Sequence, residues 1–271
     1  VGLWIAKSSG LPQRLSVLNP YAYSLSQSLN SSFHSIFNRG VHIGKAEQTK
    51  ILFIGDSLLQ QYVVPLAKHW GYSLDQVDVI SRGGCILLKG AAYKDSFSDI
   101  SCDYLRDVAF QLDQRYEKVV ISQGWHLYHG EILNASLQDS EYGADIWKPF
   151  IENTVNHFES IADQVYLIGP HPKISGDCNL EISPFTTDRS VSSCVDDMRI
   201  EFSSLVISTN SFMQSLDDIS VSTLLPMELW CDGDEGNCYT QDDGKPYFRD
   251  SQHFGTSATS FLLSRMKVAN W

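Results

Sequence analysis

The sequence predicts an α/β protein in which helices cover both faces of a largely parallel sheet, and three observations carry that expectation. Short apolar runs at 51–54 (ILFI), 77–80 (VDVI), 118–122 (KVVIS) and 164–168 (QVYLI) alternate with stretches of helical periodicity at 58–70, 102–115 and 146–161. The first run is continuously apolar, as strands buried on both faces are. A weaker repetition follows, with a helix within 195–216, a strand near 219–223 (ISVST) and a helix over 256–268. Such alternation implies crossover connections, and ligands in folds of this kind bind outside the carboxyl ends of the strands.

In chain order, residues 1–48 are rich in Ser, Asn and Leu and show no clear strand. The segment 21–38 (YAYSLSQSLNSSFHSIFN) is compatible with one helix. This part is expected to be an N-terminal extension packed on a main domain of residues 49–271, which contains no repeat, low-complexity tract or Pro/Gly-rich linker. The run Ile51–Ile54 ends in Gly55-Asp56-Ser57, where glycine permits a tight turn. Leu58, Leu59, Tyr62, Val63, Leu66 and Ala67 then recur at helical spacing. Ser57 therefore stands where a strand becomes a helix, beside N–H groups that lack intrahelical partners and favour negative charge. Asp56 or Ser57 could simply cap the helix. Alternatively, Ser57 is a nucleophile and those N–H groups form part of an oxyanion hole. The tetrapeptide alone favours capping, and only a partner base elsewhere reverses that.

Composition narrows the partners. The 271-residue chain is 43% hydrophobic and 19% charged, ordinary globular values, and its net charge is −12 from 20 Lys plus Arg against 32 Asp plus Glu. An acidic surface disfavours nucleic acid and gains nothing from anionic lipid. No stretch approaches the roughly 18 apolar residues of a membrane span. The chain begins at Val1 without a recognisable signal peptide, so a processed product or an excised piece of a longer, membrane-attached protein is expected.

Six cysteines, Cys85, Cys102, Cys178, Cys194, Cys231 and Cys238, fall into three sequential pairs of short separation. Their spacing fits no zinc site, and no metal or other cofactor is called for. Six cysteines allow 15 connectivities, and loop closure favours the sequential one. Such bridges imply an oxidising compartment; buried free thiols in a cytosolic protein are the alternative.

A serine nucleophile needs a base, most often a histidine oriented by a carboxylate. His34, His69 and His157 lie in helical patterns without a nearby acidic loop partner, and His171 (GPHPK) follows a strand but lacks a carboxylate. His253 lies three residues after Asp250 in a loop leading to the last helix. That spacing can set a carboxylate against one ring nitrogen while the other faces outward.

Gly55-Asp56-Ser57-Leu58 near the start of the α/β region, with Asp250-x-x-His253 near its end, resembles the SGNH hydrolase superfamily, also called GDSL esterases. The resemblance implies a three-layer α/β/α sandwich with a flavodoxin-like sheet. It assigns Ser57 as nucleophile, His253 as base and Asp250 as its orienter. GLPQRL (10–15), RGGC (82–85), VVISQGWHLY (119–128) and LWCDGDEGNCYTQDDGKPYFRDSQHFGTSAT (229–259) are more specifically similar to periplasmic SGNH domains fused behind acyltransferase-3 membrane proteins, which O-acetylate bacterial surface polysaccharides. The likeness also implies the pairings Cys85 with Cys102 and Cys231 with Cys238. It makes Ser57 and Gly84, with Gly83 as the alternative, oxyanion donors. In the third block the family's G-x-N reads Gly124-Trp125-His126. His126 would replace the missing Asn donor, or Trp125 would wall the pocket, with Gln123 beside it, while backbone donors act alone. An apolar plug is the equal alternative for Trp125. One lost oxyanion donor costs ~10²–10³ in rate.

The acidic stretch 232–243 resembles a calcium loop, but Gly236 stands where a ligand is required, so it is expected to be a disulfide-closed surface loop. Asn30 and Asn134 match the short glycosylation pattern, which carries little weight. The leading expectation is an extracytoplasmic serine acyl-transfer domain, monomeric as a fragment, that moves an acetyl group from a donor to a surface glycan such as lipopolysaccharide O-antigen. An acyltransferase-3 membrane domain in the same parent chain would tether it to the inner membrane. A secreted carbohydrate acetylesterase and a catalytically idle glycan-binding domain are the alternatives.

Overall fold

The computed structural model describes residues 40–46, 49–91, 102–125, 148–171, 173–175, 198–201, 204–232, 237–242, 245–248, 250, 252–256, 258–268 and 271. The expected extension up to residue 39, the Cys178–Cys194 pair, His34, His126, both glycosylation motifs and the centre of the acidic loop lie outside them. The chain forms two compact units.

The larger unit takes the described residues of Phe33–His171, Phe202–Leu229 and Arg265–Trp271. Its elements begin with β1 (Gly40–His42), β2 (Ile51–Gly55), α1 (Ser57–His69), β3 (Val77–Ser81) and α2 (Cys102–Phe110). β4 (Tyr116–Ser122), α3 (Lys148–Glu159) and β5 (Ala162–Ile168) follow. The sheet order is β1-β3-β2-β4-β5-β8, where β8 is Val221–Leu224. The five strands after β1 run parallel, and β1 pairs antiparallel with β3. Numbered among themselves, the parallel strands read 2-1-3-4-5, the flavodoxin-like order, with its switch point between β2 and β4. That is the carboxyl end from which Ser57 leaves the sheet.

The alternating faces of the strands explain the layers. Leu52 and Ile54 of β2, Val119 and Ile121 of β4, and Val165 and Leu167 of β5 share one core with α2, α3 and Met213. α1 packs against β2, β3 and β4, using Leu58, Leu59, Tyr62, Val63 and Leu66, all fully buried. The disulfide Cys85–Cys102 joins the segment after β3 to the start of α2.

The strands and helices predicted from residue 51 onward are present, with local differences. The helix predicted over 102–115 stops at Phe110. The chain then carries Gln114 to a buried polar cluster, where its amide donates to Asp78 Oδ2 (2.7 Å) and Thr49 Oγ1 (3.1 Å). Asp78 also accepts from Gly44 N, Thr49 Oγ1 and Tyr116 OH. β1 is a strand in a region read as strandless, because three residues are too few to display a period.

The smaller unit takes the described residues of Pro172–Glu201 and Trp230–Ser264. It holds the antiparallel pair β6 (Lys173–Ser175) with β7 (Arg199–Glu201). Beyond α4 (Ser204–Gln214), β8 and α5 (Pro226–Trp230), it also holds β9 (Cys231–Asp232) with β10 (Asn237–Cys238), and β11 (Gln241–Asp242) with β12 (Lys245–Pro246). α6 spans Ala258–Val268. The disulfide Cys231–Cys238 clamps β9 to β10, and Trp230 packs against Tyr247, Phe248, Phe254 and Phe261. No described helix is long and apolar enough to cross a membrane.

Candidate active site

The invariant demand in the Gly55-Asp56-Ser57 turn is space. A Cβ on Gly55 would lie 1.9 Å from the Ser122 carbonyl oxygen and 2.9 Å from Leu59 Cβ. Gly55 pairs with Ser122 in the β2–β4 ladder, and close strand approach, rather than an unusual backbone angle, is what requires glycine here.

The capping role falls on Asp56. This fully buried residue is the N-cap of α1. Its Oδ1 accepts from Leu58 N (2.9 Å) and its Oδ2 from Gly124 N (2.8 Å). One carboxylate thus ties the start of the helix to the end of β4. Ser57, partly exposed, is the first residue of α1.

The RGGC segment forms a turn beside it. Arg82 N donates to Gly55 O (3.3 Å) and Cys85 N to Arg82 O (3.2 Å), with Gly84 at φ +80°, the positive angle that the third position of a type II turn reserves for glycine. Gly84 is therefore explained by the turn. It is Gly83, the alternative donor, that abuts the serine: a Cβ there would lie 3.5 Å from Ser57 Cβ and 3.8 Å from Ser57 Oγ.

Trp125, expected to be either a pocket wall or an apolar plug, and Gln123 beside it are both buried. Trp125 Nε1 donates to Ile168 O (2.9 Å), which satisfies the indole and makes it a plug between β4 and β5. Gln123, fully buried, donates to Cys85 O (3.1 Å) and accepts from Leu87 N (3.3 Å) in the amide orientation that satisfies both ends. Gly124 N–H is committed to Asp56, and the candidate donor His126 lies outside the described residues.

In the smaller unit, Asp250 and His253 form the expected local pair. Both Asp250 carboxylate oxygens lie 3.0 Å from His253 Nδ1, and Oδ1 also accepts from Gln252 N (2.9 Å) and His253 N (2.8 Å). Burial pushes the Asp250 carboxyl up, but the His253 hydrogen bond and charge and the two N–H donors outweigh it, bringing the pKa down to about 2. The residues flanking this turn, Phe248 and Phe254, pair antiparallel across its base and are both buried. Sequence reasoning missed that bridge, whose signal is two phenylalanines closing the D-x-x-H segment.

Three other described histidines are engaged elsewhere. His69 Nε2 lies 2.6 Å from Trp271 O, and His157 Nδ1 lies 3.1 Å from Lys89 Nζ. His171 is buried beside Tyr62 and Gln61. No cluster of metal-ligating side chains occurs among the described residues.

The family model of the SGNH domain fused to AT3 domains matches residues 28–267. No curated protein matches the chain. Among solved structures, the periplasmic domain of a lipopolysaccharide acetyltransferase from Salmonella ser. Paratyphi A is similar at TM-score 0.55 and 13% identity, over 94% of this chain and 96% of that one. A carbohydrate acetylesterase from Sinorhizobium meliloti aligns at TM-score 0.46 and 12% identity, over 82% of this chain and 99% of its own. The C-terminal catalytic domain of Streptococcus pneumoniae peptidoglycan O-acetyltransferase A aligns at TM-score 0.36 and 11% identity, over 82% and 95%.

Proposed function

The chain belongs to the family of SGNH domains fused to AT3 domains, and from that premise we propose that it transfers acetyl groups onto a bacterial surface glycan through an acetyl ester of Ser57. The observation that carries this reading is the division of labour in the Gly55-Asp56-Ser57 turn. Asp56 caps the helix, and Ser57 stands at the switch-point end of β2 with Gly83 alongside its hydroxyl.

In the first half-reaction His253 Nε2 takes the Ser57 proton as Oγ attacks the acetyl carbonyl, and the same proton passes to the departing donor group. In the second, a sugar hydroxyl gives its proton to His253 and attacks the acetyl-serine, and Ser57 leaves with that proton restored. Asp250 accepts from Nδ1–H, which leaves Nε2 as the exchanging nitrogen, and its lowered pKa keeps it a carboxylate through neutral pH. Ser57 N–H and the turn holding Gly83 and Gly84 supply oxyanion donors, completed by His126. An AT3 membrane domain in the parent chain delivers the acetyl group and tethers this domain on the extracytoplasmic face. The two disulfides among the described residues suit that compartment.

The test offers the protein an acetyl donor together with lipopolysaccharide O-antigen, measures acetylated glycan and free acetate, and repeats both with Ser57→Ala. Glycan acetylation that vanishes in Ser57→Ala is the expected result. Acetate release alone makes the domain an esterase. Glycan binding without turnover or fluorophosphonate labelling of Ser57 makes it a binding domain.

A further inference from the structure

α1 carries two adjacent buried glutamines, Gln60 and Gln61. Burying a primary amide is unfavourable unless its hydrogen bonds are replaced, so two in succession on a helix with an apolar face require an explanation. Their partners lie on opposite sides of the β2–β4 pair. Gln60 Nε2 donates to Ser81 Oγ (2.9 Å) at the end of β3, whereas Gln61 Nε2 lies 3.3 Å from His171 Nδ1, just beyond β5. Neighbouring helix residues point about 100° apart, which is what lets the two amides reach in different directions. An apolar face alone tolerates small rotations of a helix, but buried hydrogen bonds to two flanking elements do not.

The Gln60 branch continues to the reaction centre. The fully buried Ser81 hydroxyl donates to the Asp56 carbonyl oxygen (3.0 Å). That carbonyl and the Ser57 N–H belong to one planar peptide, so whatever orients the first also orients the second. Ser81 meanwhile immediately precedes the Arg82–Cys85 turn that sets Gly83 against Ser57.

We propose that Ser81, with Gln60 acting through it, is a positioning residue that fixes the Asp56–Ser57 peptide, and with it the Ser57 N–H as oxyanion donor; Gln61 and His171 stay the helix from the other side. The inference rests on Ser57 being the nucleophile. Ser81→Ala, Gln60→Met, their double variant and Ser81→Thr are compared with wild type for kcat and KM on an acetyl ester, and for the rate of fluorophosphonate labelling. Val63→Ala, a core change on the same helix, shows the effect of lost stability alone.

Ser81→Ala and Gln60→Met should each lower kcat and the labelling rate about 10- to 100-fold with KM little changed. The double variant should be no worse than Ser81→Ala, and Ser81→Thr should recover most of the rate. Val63→Ala should lower the unfolding temperature but keep kcat. If Gln60→Met does not fold, Ser81→Ala, which removes a single oxygen, decides alone. Wild-type kcat in Ser81→Ala, or an equal fall in Val63→Ala, overturns the positioning role while an inactive Ser57→Ala leaves the nucleophile standing. Full turnover in Ser57→Ala overturns both.

Discussion

Ser57 follows a strand whose five residues are all buried, and the turn before it is held by a capping carboxylate, by strand pairing and by the Ser81 hydroxyl. His253 sits in a partly exposed loop, held by a carboxylate at its side and by two buried phenylalanines at its base. The first region borrows its rigidity from the sheet, which must exist for other reasons. The second makes its own from a four-residue turn, an aromatic cluster and a disulfide around a seven-residue separation. The proposed nucleophile, placed by a sheet, should be sensitive to backbone space, and the proposed base, placed by a local pair, to charge.

The sharpest test of that contrast removes the reacting atoms. Ser57→Ala should lower turnover by at least ~10⁴ with an unchanged unfolding transition, because Ser57 is partly exposed at the first position of α1, where alanine is readily accommodated. Asp250→Asn should approach ~10⁴, because the amide no longer selects the tautomer that leaves Nε2 as base. Calorimetry should show Ser57→Ala unfolding with wild type and Asp250→Asn still folded but somewhat less stable; wild-type turnover in either refutes its role. Gly55→Ala should act on stability rather than chemistry, costing upward of about 4 kcal/mol in urea unfolding, because a methyl group cannot coexist with the Ser122 carbonyl 1.9 Å away. No comparable backbone clash is expected in the Asp250–His253 loop.

The disulfides separate the regions more gently. Loop-closure entropy predicts a loss of about 3 kcal/mol for Cys85→Ala/Cys102→Ala, with its separation of 17, and about 2.5 kcal/mol for Cys231→Ala/Cys238→Ala, with its separation of 7. Denaturant unfolding under non-reducing conditions measures both, and equal stability in wild type and variant would show that the bridge only staples what already folds.

The smallest effect is the acid response of the loop. The Asp250 carboxyl is lowered from 3.8 to about 2, so the folded state releases its proton more readily than the unfolded one. Its stabilisation is fully present above about pH 4 and is lost as the pH falls through 2. The difference in unfolding midpoint between wild type and Asp250→Asn should therefore shrink on titration from pH 5 to pH 2. A constant difference would mean that the Asp250 carboxylate is not what holds the turn.

Much of this was legible in the chain. Continuous apolar runs separated by helical spacing can bury both sheet faces only as parallel strands under helices, so the sheet and its helices follow from periodicity. Asp250-x-x-His253 was legible because a turn of that span is closed by hydrogen bonds within itself. The short ribbons of the smaller unit were not, since two- and three-residue strands display no period and exist only through their partners.

What the sequence by itself determined is local: which residues form strand, turn and helix, and which two groups pair across a single turn. The tertiary structure decided whatever depends on a distant neighbour. It made Asp56 the cap by bringing Gly124 N–H to its second oxygen, and it drew Trp125 and Gln123 inward because Ile168, Cys85 and Leu87 satisfy their polar groups. It set Gly83 against Ser57 and gave Gly84 the positive φ of the turn. A hydrogen bond or a close approach across tens of residues leaves no periodic trace in the chain, and only the packed sheet brings its partners within reach.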